Sequence, residues 1–369
     1  MRYRRMPIEV ESPEQLGYST IRYNLAESSV ADVPFSDLNL DLDALVLAYG
    51  DHLGHPGLRA LLASEAPPLQ SDHVLLTVGA ASALFIVATS LLSAGDHMLV
   101  VHPNYATNIE TPRQLEAAYE PFPLKFDEGF RLNVDELIGH IRPHTRYVSI
   151  TVPHNPTGVM ITEDDLHELI DAVEAWDCLL LVDETYREMA YGSVLPPAAS
   201  LSPNVVSVSS LSKTYGLPGI RLGWLMTQNA DLMHTFLAAK EQIFISGSVL
   251  DEEVAYQYLQ HKPNHLARIR AEIARKFAIV QDWIAEERLM EWVEPQGGVV
   301  CFPRIKPDAP VDVERFYTIL NGKYGTMVGP GHWFEVDRRH MRVGFGWPDD
   351  AQLRAGLEAI SQALRESTL

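Results

Sequence analysis

A lysine in a loop between two apolar runs is the first candidate for chemistry in this sequence. Lys213 lies in SLSKTYGLPGIRLGW, a segment rich in serine and glycine. Lysines prefer solvated surfaces, but a lysine held between two buried runs is expected to enter a cleft. There the loss of hydration favours the neutral amine, which is a nucleophile. The loop therefore predicts a nucleophilic lysine inside the protein.

Polar residues also follow other apolar runs, at the points where predicted strands end. Asn155 follows TRYVSITV, and Asp183 follows CLLLV with Tyr186 shortly after it. Ligands of open α/β sheets bind at the carboxyl ends of the strands, so we expect these side chains to lie together. Ala80 and Ala81 open a helical pattern after VLLTVG, where small residues let a phosphate reach free N–H groups. Taken alone, Asp183 is more typical of a helix cap, and the alanines of a plain strand-to-helix turn.

The segments that must position these residues alternate between strand and helix patterns. Short apolar runs typical of buried parallel strands recur from about residue 74, and amphipathic helical patterns separate them. This alternation predicts an α/β fold. Two further strand-like runs and a final helix indicate a smaller α+β domain. We predict an N-terminal segment over 1–45, which lacks clear periodicity, a large domain over 46–265 and a small domain over 266–369.

Composition and charge restrict the classes of function. The 369 residues carry 29 Lys and Arg against 49 Asp and Glu, a formal net charge of −20, which repels nucleic acid backbones and anionic lipids. No apolar window of the sequence is long enough to span a bilayer. Cys178 and Cys301 lie in apolar runs, so we expect a reducing cytoplasm and no disulfide framework. We expect no metal, nucleic acid or membrane partner.

Together, these residues resemble the class I/II aminotransferase family, which are pyridoxal-phosphate-dependent enzymes of fold type I. The resemblance runs in order over most of the chain, and SLSKTYGLPGIRLGW is its most specific segment. It implies a large domain with a mostly parallel mixed sheet between helices, and a small α+β domain that the N-terminal segment is expected to join. It also implies pyridoxal 5′-phosphate as the cofactor, and an amino acid and a 2-oxo acid as the substrates.

The resemblance assigns roles to the residues around the cofactor. Lys213 is implied to form the Schiff base with the pyridoxal aldehyde and to move the proton at Cα. Asp183 is implied to keep the pyridinium nitrogen protonated, and Asn155 and Tyr186 to bind the ring oxygen. Tyr105 in VVHPNYATN is implied to lie over the ring. The residues implied to bind the phosphate are Ala80, Ala81, Ser210, Ser212 and Arg221.

Two further segments of the resemblance concern a partner subunit and the substrate. YGDHLGHPGLR contains Tyr49, which in relatives reaches the phosphate of the neighbouring subunit, so a homodimer with shared active sites is implied. HMRVGFGW contains Arg342, which is implied to bind the α-carboxylate of the amino acid as a bidentate pair. Asn155 is implied to contact the substrate as well.

Two positions depart from the family pattern and bear on the substrate. Most relatives have a second asparagine where this chain has His154, and a glycine near the position of Glu27. A carboxylate at Glu27 would favour a neutral or basic amino acid over an acidic one, so we expect an aminotransferase with that preference. VPHNPTG and QGGVVCFPRI also look like the branch that contains capreomycidine synthase. Cyclisation of the substrate side chain is therefore the alternative, and elimination of the C–S lyase type is a further one.

Overall fold

A computed structural model describes residues 3–369, which form alternating strands and helices. The strands in chain order are β1 (Tyr23–Leu25), β2 (Val74–Thr77), β3 (His97–His102), β4 (Ala118–Pro123), β5 (Thr145–Thr151), β6 (Leu179–Asp183), β7 (Val205–Ser210), β8 (Gly223–Met226), β9 (Met290–Glu291), β10 (Val300–Cys301), β11 (Arg304–Ile305), β12 (Thr326–Pro330) and β13 (Met341–Gly344). The helices are α1 (Pro7–Glu11), α2 (Pro13–Leu16), α3 (Pro56–Ala63), α4 (Gly79–Leu91), α5 (Ala106–Gln114), α6 (Val134–Ile138), α7 (Glu163–Ala175), α8 (Ala230–Phe244), α9 (Val249–Leu259), α10 (Lys262–Glu286), α11 (Val313–Gly322) and α12 (Asp350–Glu366).

A seven-stranded sheet forms the centre of the large domain, in the order β2-β8-β7-β6-β5-β3-β4. β8 runs antiparallel to both of its neighbours, and the other pairs are parallel. The runs TRYVSITV and CLLLV form β5 and β6, as predicted. Thr151 pairs with Asp183, and Asp183 pairs with Val208. The carboxyl ends of β5, β6 and β7 therefore lie level at one edge of the sheet.

Helices cover both faces of this sheet because the strand residues alternate in direction. Val148 and Ile150 of β5 belong to the hydrophobic cluster that contains α7, whereas Tyr147 belongs to the cluster that contains α4 and α8. α7 begins at a capped turn, since Thr162 Oγ1 accepts a hydrogen bond from the N–H of Asp165 at 3.0 Å. A sheet buried on both faces explains why its central strands are apolar along their whole length.

A second sheet, in the order β1-β12-β13-β10, lies near the C-terminus together with α11 and α12. β1 pairs in parallel with β12, so Tyr23 lies opposite Thr326. Leu25 of β1 packs against Gly356 of α12, where the absence of a side chain leaves room for it. A Cβ added at Gly356 would lie 2.8 Å from Leu25 Cδ1. The N-terminal segment thus contributes a strand to this sheet. The proposed boundary at residue 266 falls within α10, and the division into domains stays a prediction.

Within residues 3–369, no helix is long and apolar enough to cross a membrane. The same residues contain no group of three or more His, Cys, Asp or Glu side chains that could hold a metal ion. Cys178 and Cys301 are both free and buried.

Candidate active site

A cavity of about 540 Å³ opens at the carboxyl edge of the large sheet, next to β13. All the predicted site residues except Tyr49 line it, namely Glu27, Ala80, Ala81, Tyr105, Asn155, Asp183, Tyr186, Ser210, Ser212, Lys213, Arg221 and Arg342. They come from segments far apart in the sequence. The fold therefore gathers into one cavity the residues that the strand ends and the resemblance singled out.

One side of the cavity, here called the strand-end wall, consists of Asn155, Asp183, Ser210 and Lys213. Asp183 ends β6 and Ser210 ends β7, while Asn155 and Lys213 lie in the loops that follow β5 and β7. Asn155, Asp183 and Ser210 are buried. Because the parallel ladder fixes where each strand ends, it also fixes the relative positions of these side chains.

Asp183 is a buried carboxylate with one oxygen left for a ligand. Its Oδ1 accepts hydrogen bonds from the backbone N–H of Thr185 at 3.0 Å and from Thr185 Oγ1 at 2.6 Å. Among the described residues, none donates to Oδ2. Burial raises the pKa of Asp183, although the bonds from Thr185 oppose that shift. Such a carboxylate is suited to hold a protonated ring nitrogen.

The side-chain amine of Lys213 has no carboxylate partner among the described residues. No carboxylate of residues 3–369 lies within 4.0 Å of its Nζ. Burial lowers the pKa of Lys213, and the charge of Glu27 opposes that shift. Thr214 Oγ1, next in the chain, donates to the carbonyl oxygen of Thr185 at 2.9 Å, so the lysine loop is joined to the segment after β6. Burial thus favours the neutral form of the amine, which is the form that acts as a nucleophile and base.

A cradle for an anion lies where α4 begins. A Cβ added at Gly79 would lie 2.6 Å from Arg221 Nη2, and one added at Gly223 would lie 2.6 Å from the backbone nitrogen of Ala80. Glycine at position 79 lets the guanidinium approach the start of α4, and glycine at position 223 lets β8 approach the same backbone. Ser212 Oγ lies 3.4 Å from Arg221 Nη1. The first N–H groups of a helix have no intrahelical acceptor, so the cradle joins free donors to a cation and suits a phosphate.

Arg342 extends into the cavity from β13 and is buried. Its Nη1 donates to Asn155 Oδ1 at 3.1 Å, and its Nη2 donates to the carbonyl oxygen of Ala26 at 2.7 Å. Its Nε has no hydrogen-bond partner among the described residues. A guanidinium has five N–H donors, so Arg342 is held in place and keeps donors for a carboxylate.

A second side of the cavity, here called the N-terminal wall, consists of Glu9, Glu14, Tyr18, Glu27 and Asp32. Tyr18 Oη donates to Glu27 Oε1 at 3.0 Å, and its ring stacks on Trp347 with centroids 5.8 Å apart. Trp347 Nε1 donates to Asp32 Oδ2 at 2.9 Å. Sequence reasoning found only Glu27 in this wall. The other residues lie in short helices and loops, whose pattern carries no signal of a site.

A cluster of buried and half-buried charges packs behind the strand-end wall. Arg187 Nη2 lies 2.6 Å from Glu65 Oε2 and 3.3 Å from Glu188 Oε1. Lys262 at the start of α10 also pairs with Glu65 and Glu188. Glu184 Oε1 accepts from the N–H of Ala198 at 2.6 Å, and burial raises the pKa of Glu184 to about 7. The cluster anchors the segment that carries Asp183 and Tyr186.

Two residues singled out in the sequence lie elsewhere. Tyr49 is 85% exposed and does not line the cavity of its own chain. His154 is buried beside Asn155, and its Nδ1 lies 2.8 Å from Thr157 Oγ1. Burial lowers the pKa of His154 to about 3, so the imidazole is neutral at physiological pH. His154 therefore packs beneath the cavity without adding charge to it.

The lysine, the buried carboxylate and the anion cradle at the carboxyl edge of a mostly parallel sheet define a pyridoxal-phosphate enzyme of fold type I. The geometry fits that cofactor, since the cradle would take its phosphate, Asp183 its ring nitrogen and Lys213 its aldehyde carbon. Residues 40–360 match the family described as aminotransferase class I and II. The chain belongs to this family, and its cofactor is pyridoxal 5′-phosphate.

The most similar proteins include enzymes of two kinds. Capreomycidine synthase of Streptomyces vinaceus is 31% identical over 361 residues, which cover 94% of this chain and 91% of that protein. Arginine–pyruvate transaminase AruH of Pseudomonas aeruginosa is 25% identical over 350 residues, which cover 92% of this chain and 86% of that protein. A solved PLP-dependent aminotransferase from Streptococcus suis 89-1591 matches with a TM-score of 0.91 and 28% identity over 100% of both chains. Family membership therefore leaves the particular reaction open.

Proposed function

We propose that this protein is an aminotransferase that moves the amino group of a neutral or basic L-amino acid to a 2-oxo acid. The observation that carries the proposal is that Lys213 and Arg342 line one cavity, the first as an amine without a carboxylate partner and the second as a buried guanidinium with free donors. The transaminases among the relatives support it. When bound, pyridoxal phosphate supplies an electron sink for the bonds at the substrate's Cα.

In the proposed reaction, the residues of this chain bind, orient and transfer a proton. Arg342 binds the α-carboxylate, which orients the Cα–H bond toward Lys213, and the Lys213 amine then moves that proton. Asp183 holds the ring nitrogen in its protonated form. Tyr186 and Asn155 donate to the ring oxygen, and the hydrogen bond from Arg342 fixes the Asn155 amide. The cradle residues would bind the phosphate, and Tyr105, which lines the same cavity, would pack against the ring.

Mixing the purified holoenzyme with single amino acids tests the proposal. Without an acceptor, the amino donor should convert the bound cofactor to pyridoxamine phosphate in a 1:1 ratio, and a 2-oxo acid should reverse the change in the absorbance spectrum. Borohydride should fix the cofactor to the peptide that contains Lys213. A label on another lysine, or no pyridoxamine phosphate from any amino acid, would overturn the proposal.

Cyclisation or elimination at the amino acid side chain is the second candidate. It is favoured by the 31% identity to a protein named capreomycidine synthase. Both candidates use the same cofactor residues and differ in whether the amino group leaves the substrate. The same mixtures therefore distinguish them, since a cyclised or eliminated product that forms without pyridoxamine phosphate would favour the second candidate.

We further propose a homodimer in which Tyr49 completes the phosphate site of the partner subunit. One support is an exposed apolar surface around Tyr49, with Leu47 77% exposed and Ile243 48% exposed. The other is that members of the family are typically dimeric. Sedimentation should give a mass near twice that of the 41.2 kDa chain. Tyr49→Phe should weaken cofactor retention while leaving the dimer intact, whereas a monomeric enzyme with full activity would contradict the proposal.

A cytoplasmic location is proposed as well. Its support is the pair of buried, unpaired cysteines, which a reducing compartment keeps as thiols. Fractionation of cells that express the tagged protein should place it with cytoplasmic enzymes.

A further inference from the structure

The charges that line the cavity are unevenly distributed. Its cations are Lys213, Arg221 and Arg342, and in the proposed function each already has an anionic or covalent partner in the cofactor or the α-carboxylate. Asp183 is likewise assigned to the ring nitrogen. The carboxylates that remain are all in the N-terminal wall, namely Glu9, Glu14, Glu27 and Asp32. None of them forms an ion pair with any residue between 3 and 369.

The N-terminal wall lies close to the point where a substrate would be anchored. Ala26, which accepts from Arg342, directly precedes Glu27. A Cβ at Gly344, two residues after Arg342 in β13, would contact the carbonyl oxygen of Glu27. The side chain of an amino acid bound by its carboxylate at Arg342 would therefore extend past the 26–28 backbone toward Glu27. Burial raises the pKa of the Tyr18 hydroxyl, and the negative charges of Glu27, Glu14 and Asp32 raise it further. These three carboxylates therefore lie around the Tyr18 ring.

We infer that the N-terminal wall selects an amino acid whose side chain ends in a guanidinium group. This inference rests on the proposed function, because it takes Arg342 as the anchor of the α-carboxylate. A guanidinium is planar, binds carboxylates through paired N–H donors and is weakly hydrated, so it suits these solvent-accessible carboxylates better than an ammonium does. The ring of Tyr18, stacked on Trp347, offers a flat face on which a guanidinium can also stack.

Analogues without an α-amino group separate side-chain recognition from the reaction. 5-Guanidinopentanoate keeps the carboxylate and the guanidinium, 5-ureidopentanoate has the same shape without the charge, and 6-aminohexanoate carries an ammonium. The guanidino and urea analogues have no free amine that could exchange with Lys213, so calorimetry on the holoenzyme measures their binding alone. The terminal amine of 6-aminohexanoate could exchange, so an unchanged cofactor absorbance is required before its heat is taken as binding. We expect the guanidino analogue to bind about tenfold more tightly than the urea, and more tightly than the ammonium compound.

Three variants test which carboxylates are responsible. Glu27→Gln and Glu14→Gln should each reduce the preference for the guanidino analogue over the urea to about threefold or less. Asp37→Asn removes one charge from the same N-terminal segment outside the cavity lining, and it should leave the preference unchanged. The cofactor absorbance of each variant confirms that the cofactor site is intact.

The outcomes also distinguish this inference from the proposed function. Equal binding of the guanidino and urea analogues, stronger binding of the ammonium compound, or no binding of any analogue would overturn the inference, even if transamination is observed. A guanidinium preference that depends on Glu14 and Glu27 would uphold it. If that preference occurs in an enzyme that forms no pyridoxamine phosphate from any amino acid, the side-chain site stands and the transaminase proposal fails.

Discussion

The strand-end wall and the N-terminal wall border the same cavity, but they are held by different kinds of contact. Asp183 and Ser210 are 6% and 2% exposed at the ends of strands whose ladder fixes them, and the Glu65–Arg187 cluster packs behind them. Tyr18 is 46% exposed and lies outside the strand ladders, and its side chain is held by the hydrogen bond to Glu27 and by stacking on Trp347. The two proposals thus place the chemistry in the strand-end wall and the selectivity in the N-terminal wall.

This difference has a physical consequence for substitutions. A change in the strand-end wall leaves a buried polar partner unsatisfied, which costs more than the loss of a contact in water. A change in the N-terminal wall is compensated by solvent, so it should alter which side chain binds while preserving proton transfer. Substitutions in each wall therefore test whether the two walls differ in this way.

The largest effect is expected from Lys213→Ala. The variant should still bind the cofactor through the cradle, but loss of the general base alone should lower turnover by a factor of about 10² to 10⁴. Single-turnover absorbance measurements and cofactor content after gel filtration check both parts. Lys125→Ala, an exposed lysine paired with Glu128, is the control and should be fully active. Substantial activity in Lys213→Ala would show that the strand-end wall does not carry out the proton transfer.

Arg342→Ala should mainly lower kcat/KM for the amino acid. The lost charge-assisted pair is buried, so the expected loss is on the order of 2 to 5 kcal/mol of transition-state binding. Steady-state kinetics over a wide range of donor concentration measure it, with the exposed Arg354→Ala as the matched control. An unchanged KM would place the carboxylate site elsewhere in the cavity.

Glu184→Gln should change how stability depends on pH. The pKa of Glu184 is about 7 in the folded protein, against 4.5 for an ordinary glutamate, so folding favours the protonated form. Its contribution to stability is complete below about pH 4.5 and is lost as pH rises through 7. The amide cannot ionise, so the variant should gain stability relative to the wild type between pH 5 and 8, by at most on the order of 3 kcal/mol. Thermal unfolding of the wild type and the variant at pH 5 and pH 8 measures this difference in stability. Stabilities that change with pH in parallel for the two proteins would contradict the prediction.

The smallest effect is expected from Tyr18→Phe. The variant loses the hydrogen bond to Glu27 but keeps the stacking on Trp347, so the preference for 5-guanidinopentanoate should change by less than about threefold. The rate of the half-reaction should be unaffected. A tenfold fall in that rate would show that the N-terminal wall takes part in the chemistry, and the contrast between the walls would fail.

The strand-end wall was accessible to sequence reasoning because buried strands have a clear signature. CLLLV and TRYVSITV are apolar throughout, so the polar residues after them stand out. β4 has no such signature, since it is an edge strand that contains Pro121 and Pro123. Apart from Glu27, the N-terminal wall could not be predicted, because α1 and α2 have five and four residues, too few for a helical period.

The parallel pairing of β1 with β12 also determines when the cavity can form. Tyr23 finds its partner Thr326 about 300 residues later, so the contact order of this sheet is high. At ribosomal speeds of about 5 to 20 residues per second, β1 must wait on the order of tens of seconds for β12 to be synthesised. The large sheet can be complete by then, but Arg342 and the N-terminal wall cannot yet face each other. In a nascent chain, the residues proposed to bind the cofactor can therefore come together before those proposed to select the amino acid.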